Sequence, residues 1–143
     1  MICTCNNAHS ALAAYNTNSQ ILLAGDLVNF TTNRILKGKY ITHASNSPDV
    51  GLKVGRYLVT MHFDFTPTAA GDIVFQLLNK NVVIPSEKVT VTAATGSNYT
   101  ASMTTLIEVD PSCIAVNNNA ILQVQISAGA TVTNASISVL KVL

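Results

Sequence analysis

His62 and Asp64 stand two residues apart in a stretch that alternates apolar and polar side chains. An extended backbone therefore puts both on one face. An imidazole beside a carboxylate supplies two parts of a nucleophilic triad, and the third is a serine presented on a sharp strand-to-helix turn. The chain contains no Gly-x-Ser-x-Gly segment to present one, so no catalytic residue is assigned. Cys3, Cys5 and His9 would give a tetrahedral zinc three of its four ligands, with no fourth in the neighbourhood. Cys113 makes the thiol count odd, which argues against a disulfide framework. His9 lies near the N-terminus, and His43 lies beside a turn cluster. The carboxylates Asp26, Asp49, Asp64, Asp72, Glu87, Glu108 and Asp110 are too dispersed for an EF-hand loop, and no glycine-rich phosphate loop is present. No metal and no cofactor is expected. The three Asn-x-Ser/Thr sequons at Asn29, Asn98 and Asn134 are what chance gives in a chain this rich in Asn and Thr.

Composition points away from several partners. Charged residues are 10% of the 143, against a usual ~25%, and the net charge is +1. The loose group Arg34, Lys37 and Lys39 reads as a solvated loop, and no basic stripe with aromatics suggests nucleic acid. No run of 18 apolar residues occurs, so no transmembrane helix is expected. The N-terminal residues lack the basic and apolar regions of a signal peptide, which leads to the expectation of synthesis in the cytoplasm.

The elements that must position these side chains are strands. Period-two alternation predicts strands over 20–24, 27–31, 40–44, 50–54, 57–66, 72–78, 82–84, 88–94, 99–109, 114–116, 121–127 and 131–143. Turn signals separate them, including the hairpin Asn79-Lys80-Asn81. Regular short strands of this kind predict an all-β sandwich or barrel. Residues 1–19 differ: the Ala-rich run 8–15 predicts two short helical turns in an N-terminal arm, with Leu12 and Tyr15 as candidate anchor residues. The expected organisation is thus an arm over 1–19 and one domain over 20–143. Leu22, Val28, Leu58, Leu78, Leu106, Leu140 and Val142 fall out of phase with the expected inner faces. Together with His62 they form the candidate oligomer interface, since apolar residues on neighbouring strands make a patch.

The stretch 55–67 (GRYLVTMHFDFTP) adds a resemblance. With Phe30-Thr-Thr-Asn33, Ile41-Thr-His43, Pro67-x-x-Ala70-Gly71-Asp72-Ile73-x-Phe75-Gln76-Leu77 and Thr133-Asn-Ala-Ser136-Ile137, it resembles the jelly-roll domains related to the complement globular head and tumour necrosis factor. The bacterial and phage branch of that group, with its spore-surface and small virion proteins, is the most similar. The resemblance implies a jelly-roll β-sandwich of about 8–10 antiparallel strands, a tight homotrimer and no enzymatic activity. No Gly-X-Y repeat precedes the domain, so a collagen stalk does not drive assembly. The expected function is a virion structural protein, a trimeric capsid decoration or head-fibre protein attached to a capsid or fibre protein through residues 1–19. The alternative is a receptor- or glycan-binding module of a phage tail or of a bacterial or spore surface.

Overall fold

The computed structural model describes residues 9–110 and 119–142. Cys3, Cys5, Cys113, the strand expected over 114–116 and the last residue lie outside the described residues. Strand β6 (Gly55–Pro67) follows the alternation of its sequence: Tyr57, Val59, Met61, Phe63 and Phe65 are each at most 1% exposed, and the residues between them face outward. A strand with one buried face requires this pattern.

Six strands make the first sheet: β1 (Ala11–Asn16), β2 (Gln20–Leu22), β3 (Thr32–Lys37), β6, β9 (Tyr99–Val109) and β11 (Ala130–Lys141). Their order is β3-β1-β11-β6-β9, and β2 pairs with the start of β11. The second sheet has the order β4-β5-β10-β7-β8, from β4 (Ile41–Thr42), β5 (Val50–Leu52), β10 (Ala120–Ile126), β7 (Gly71–Asn79) and β8 (Val82–Ala93). Every pairing is antiparallel, and the two sheets face each other across one core. The chain is an all-β jelly-roll sandwich. Phe75 of β7 joins the layers: Phe63 stacks on it at 4.5 Å and Phe65 meets it edge-on at 5.2 Å. Aromatic pairs of this geometry contribute about 0.5–1.5 kcal/mol beyond their buried area. At one end of the core the Tyr57 hydroxyl donates to the Lys53 carbonyl at 2.6 Å, and burial pushes its pKa up to about 12.

The hairpin between β7 and β8 forms where Asn79-Lys80-Asn81 predicts it. Lys80 and Asn81 have φ of 49° and 67°, and Asn79 faces Val82 across the two-residue loop. Positive φ at both central residues is the requirement of a type I′ turn, whose twist matches that of the strands it joins.

Four expectations are corrected. The helical turns over 8–15 and the boundary at residue 19 give way to β1, which is inserted between β11 and β3. Ala favours helix in isolation, but two ladders of backbone hydrogen bonds outweigh that preference. Leu12, a candidate anchor, is 2% exposed and belongs to the core. Leu22, Val28 and Leu78, placed outward by alternation, are buried at 8%, 0% and 2% exposure. Leu78 keeps its outward phase, opposite Gln123 of β10 in unbroken register, and is buried on that side outside the core cluster that holds Leu77. β2 is three residues long and the 27–31 segment makes only isolated bridges at Leu27 and Phe30, so neither carries enough alternation to fix a face. Finally, Arg34 and Lys37 lie on β3 and not in a loop.

Candidate functional site

The outer face of the first sheet is built in rows, because antiparallel register lines up residues across strands. One row runs Ala11–Leu140–Leu58–Leu106 over β1, β11, β6 and β9. Its three leucines are 45%, 36% and 67% exposed. The next row is Ala13–Ser138–Thr60–Thr104, and the one after is Tyr15–Ser136–His62–Ser102. The middle of the face is therefore mostly Ala, Ser and Thr, with Tyr15 and His62 as its larger side chains.

Apart from the edge strand β3, where Lys37 continues the leucine row beyond Ala11, charge lies at the two ends of this face. At one end Arg56 pairs with Glu108, which lowers the Glu108 carboxyl, while Glu108 in turn raises that of Asp110. At the other end Asp64 collects donors: Thr100 Oγ1 at 2.7 Å, His62 Nε2 at 3.1 Å and Asn134 Nδ2 at 3.2 Å. These hold the Asp64 carboxyl below its ordinary range, the Thr100 hydrogen bond first. The Thr100 hydroxyl donates to Asp64 and not to His62, so the His62–Asp64 pair has no activated nucleophile in this arrangement.

The strands at the sheet edges are guarded unequally. A free edge is a template for pairing with another chain, and Lys, Pro, bulges or brevity blunt it. β3 carries Arg34 and Lys37. β8 carries Pro85, Lys88, a register shift and a positive φ of 69° at Ser86. β4 is two residues long. β9 spans 11 residues with no Pro, Lys or Arg, and its outward side chains are Thr100, Ser102, Thr104, Leu106 and Glu108. It pairs only with β6 among the described residues.

The structure thus brings Leu58, Leu106, Leu140 and His62 onto one face, with Val142 beside them, its amide bonded to the Arg56 carbonyl. Leu22 and Val28 are not on this face. Tyr15 is half-buried on it, in line with Ser136. His43 is 5% exposed and structural: Nδ1 meets Asn33 Oδ1, Nε2 meets the Ser47 carbonyl, and Asn33 donates back to the His43 carbonyl.

Sequence reasoning missed two features. The unguarded β9 edge was legible as 11 residues without Pro, Lys or Arg, but which strand is an edge follows only from topology. The second feature is an open groove over Gly51, signalled by a glycine inside an apolar strand, where close approach by another group is expected.

No family model matches the chain, and no curated protein matches it. Solved structures do match in fold. Murine APRIL at pH 8.5 superposes with a TM-score of 0.67 at 13% identity, covering 94% of this chain and 99% of that one. The globular domain of zebrafish complement 1qA gives a TM-score of 0.62 at 11% identity over 94% and 97% of the two chains. Vertex protein P5 of PRD1 gives 0.59 at 16% identity over 94% and 97%. At these identities the likeness is one of fold.

Proposed function

We propose that this chain is a structural protein of a phage particle that assembles as a homotrimer through the outer face of its first sheet. The observation that carries the assembly is the leucine row ending at the unguarded β9 edge. A β9 edge laid on a neighbour's sheet face joins two different surfaces, and such a heterologous contact closes into a ring when its rotation permits. The uncharged middle of the face keeps the desolvation cost of that contact low. The particle location is supported by the likeness in fold to a vertex protein, and the trimer by the likeness to tumour necrosis factor-like and complement-head domains. In this reading it is a capsid decoration or head-fibre protein. Attachment runs through residues 1–8, because Ser10–Asn16 are already committed to the fold.

Sedimentation of the purified chain tests the assembly: a trimer is expected at micromolar concentration. Leu58→Asp with Leu106→Asp should give monomers whose circular dichroism is unchanged. A wild-type monomer at that concentration overturns the reading.

A second reading, a recognition module of a phage tail or bacterial surface, is favoured by one observation, the groove on the opposite sheet.

A further inference from the structure

The register lines up Thr42, Gly51 and Ile121 across β4, β5 and β10 on the outer face of the second sheet. Gly51 has no side chain there, and a Cβ on it would come within 2.3 Å of Thr42 Oγ1. The result is a depression in the middle of a pleated face. Around it lies an open groove of about 660 Å³, with Asp49 at one wall and Lys53 and Lys80 among its lining residues. Asp49 is held in place: its Oδ1 accepts from Gln123 Nε2 at 2.7 Å, and Gln123 Oε1 accepts the Asn81 amide at 2.9 Å. Gln123 itself is 6% exposed, so this wall is preorganised.

Charge is distributed unevenly around the groove. Of the eight basic residues, six (Lys37, Lys39, Lys53, Arg56, Lys80 and Lys141) lie at the end of the sandwich where β3, β5, β7 and β11 finish and β6 begins. The two sheets meet there through Lys141 over the Tyr40 ring at 4.8 Å and the Tyr57 hydroxyl on the Lys53 carbonyl at 2.6 Å. Asp49, Glu87, Glu108 and Asp110 share that end and leave it an excess of two basic charges, while Asp26, Asp64 and Asp72 lie toward the opposite end. An anion approaching the molecule is steered to the groove end.

We propose that this groove binds an acidic saccharide, a sugar bearing a carboxylate or phosphate. The inference rests on the recognition reading and does not need the trimer. A pyranose offers an apolar C–H face, a set of hydroxyls and, in this class, one anion. The floor of Gly51 and Ile121 suits the first, Asp49 and the Thr42 hydroxyl suit the second, and Lys53 with Lys80 suits the third. A nucleic acid is disfavoured, because the Tyr40 ring in the groove lining has Lys141 Nζ over one face at 4.8 Å and is not free to stack a base there.

Saturation-transfer NMR and calorimetry on the full chain, with 3′-sialyllactose and digalacturonic acid against lactose and chitobiose, test it. At least one acidic probe should bind about tenfold or more tightly than the neutral ones. Lys53→Glu and Lys80→Glu should each weaken it about tenfold, a factor that corresponds to ~1.4 kcal/mol. Lys88→Glu, the same charge change on β8, should change it less than about twofold, as screening of a distant charge requires. Gly51→Val fills the floor and should abolish binding, with dichroism reporting that the fold survives. Equal binding of neutral and acidic probes overturns the acidic class and leaves the recognition reading. Equal loss in Lys88→Glu overturns the groove as the site. No binding by any probe overturns both.

Discussion

Among the described residues Asp64 is the most heavily bonded side chain on the outer face of the first sheet, and the bonds favour its ionised form. Its folded-state pKa lies below its unfolded one, so its contribution is present above the ordinary carboxylate range. It is lost as pH falls through the lowered value. Asp64→Asn should therefore destabilise the protein at pH 7 and lose that effect at an acid pH below the lowered value. The side chain is 39% exposed and solvent screens the pairs, so the loss should stay under about 1 kcal/mol. Denaturant unfolding of both proteins at the two pH values measures it. Tyr57 acts at the other extreme of pH. Its neutral form is held to about 12 by burial, so the stability it lends falls away in alkali as the unfolded chain ionises first.

At the scale of elements, the entry of the chain into β1 is locked by one close approach. Gly38 has φ +81°, and a Cβ there would lie 2.2 Å from Ser10 Oγ and 2.8 Å from Ser10 Cα. Ser10 is fully buried, its hydroxyl takes the Tyr40 amide, and its carbonyl takes the Lys141 amide. Gly25 has a similar φ of +89° with nothing within 4 Å of its virtual Cβ. Gly25→Ala should cost about 1 kcal/mol, the left-handed penalty alone, whereas Gly38→Ala should cost about 2–4 kcal/mol. Equal costs in thermal or urea unfolding would mean that Ser10 is not held there. β1 also shows that an Ala-rich run need not be helical. Alternation can be counted within 57–66, but Ala11–Asn16 carries a helical composition, and only its placement between β11 and β3 makes it a strand.

The described residues present two unlike surfaces, a sheet face whose middle rows hold no Lys, Arg, Asp or Glu and, on the opposite sheet, a groove at the basic end. Assembly through the first leaves the second open to solvent, so each copy in a trimer would present its own groove and gain avidity on a multivalent surface. Truncation separates attachment from folding. Removing residues 1–8 should leave a folded domain that no longer decorates particles. Removal through Asn16 takes away the strand that bridges β11 and β3, and should leave the chain unfolded by dichroism. Particle decoration by the shorter truncation would refute attachment through those residues.

Local alternation is enough to specify the sandwich. Tyr57, Val59, Met61, Phe63 and Phe65 in strict alternation leave the backbone one way to bury them, and Asn79-Lys80-Asn81 supplies a turn that fixes register locally. It also determined which outward leucines stand out on the long strands, since Leu58, Leu106 and Leu140 sit where period two has enough residues to be counted. Tertiary structure alone decided the rest. Whether outward-phased Leu78 is covered depends on what packs on that face, whether Leu12 is anchor or core depends on which strands flank it, and which strand is an edge depends on sheet order. The groove over Gly51 follows from pairings between residues distant in the chain, and long-range pairing leaves no mark in local periodicity.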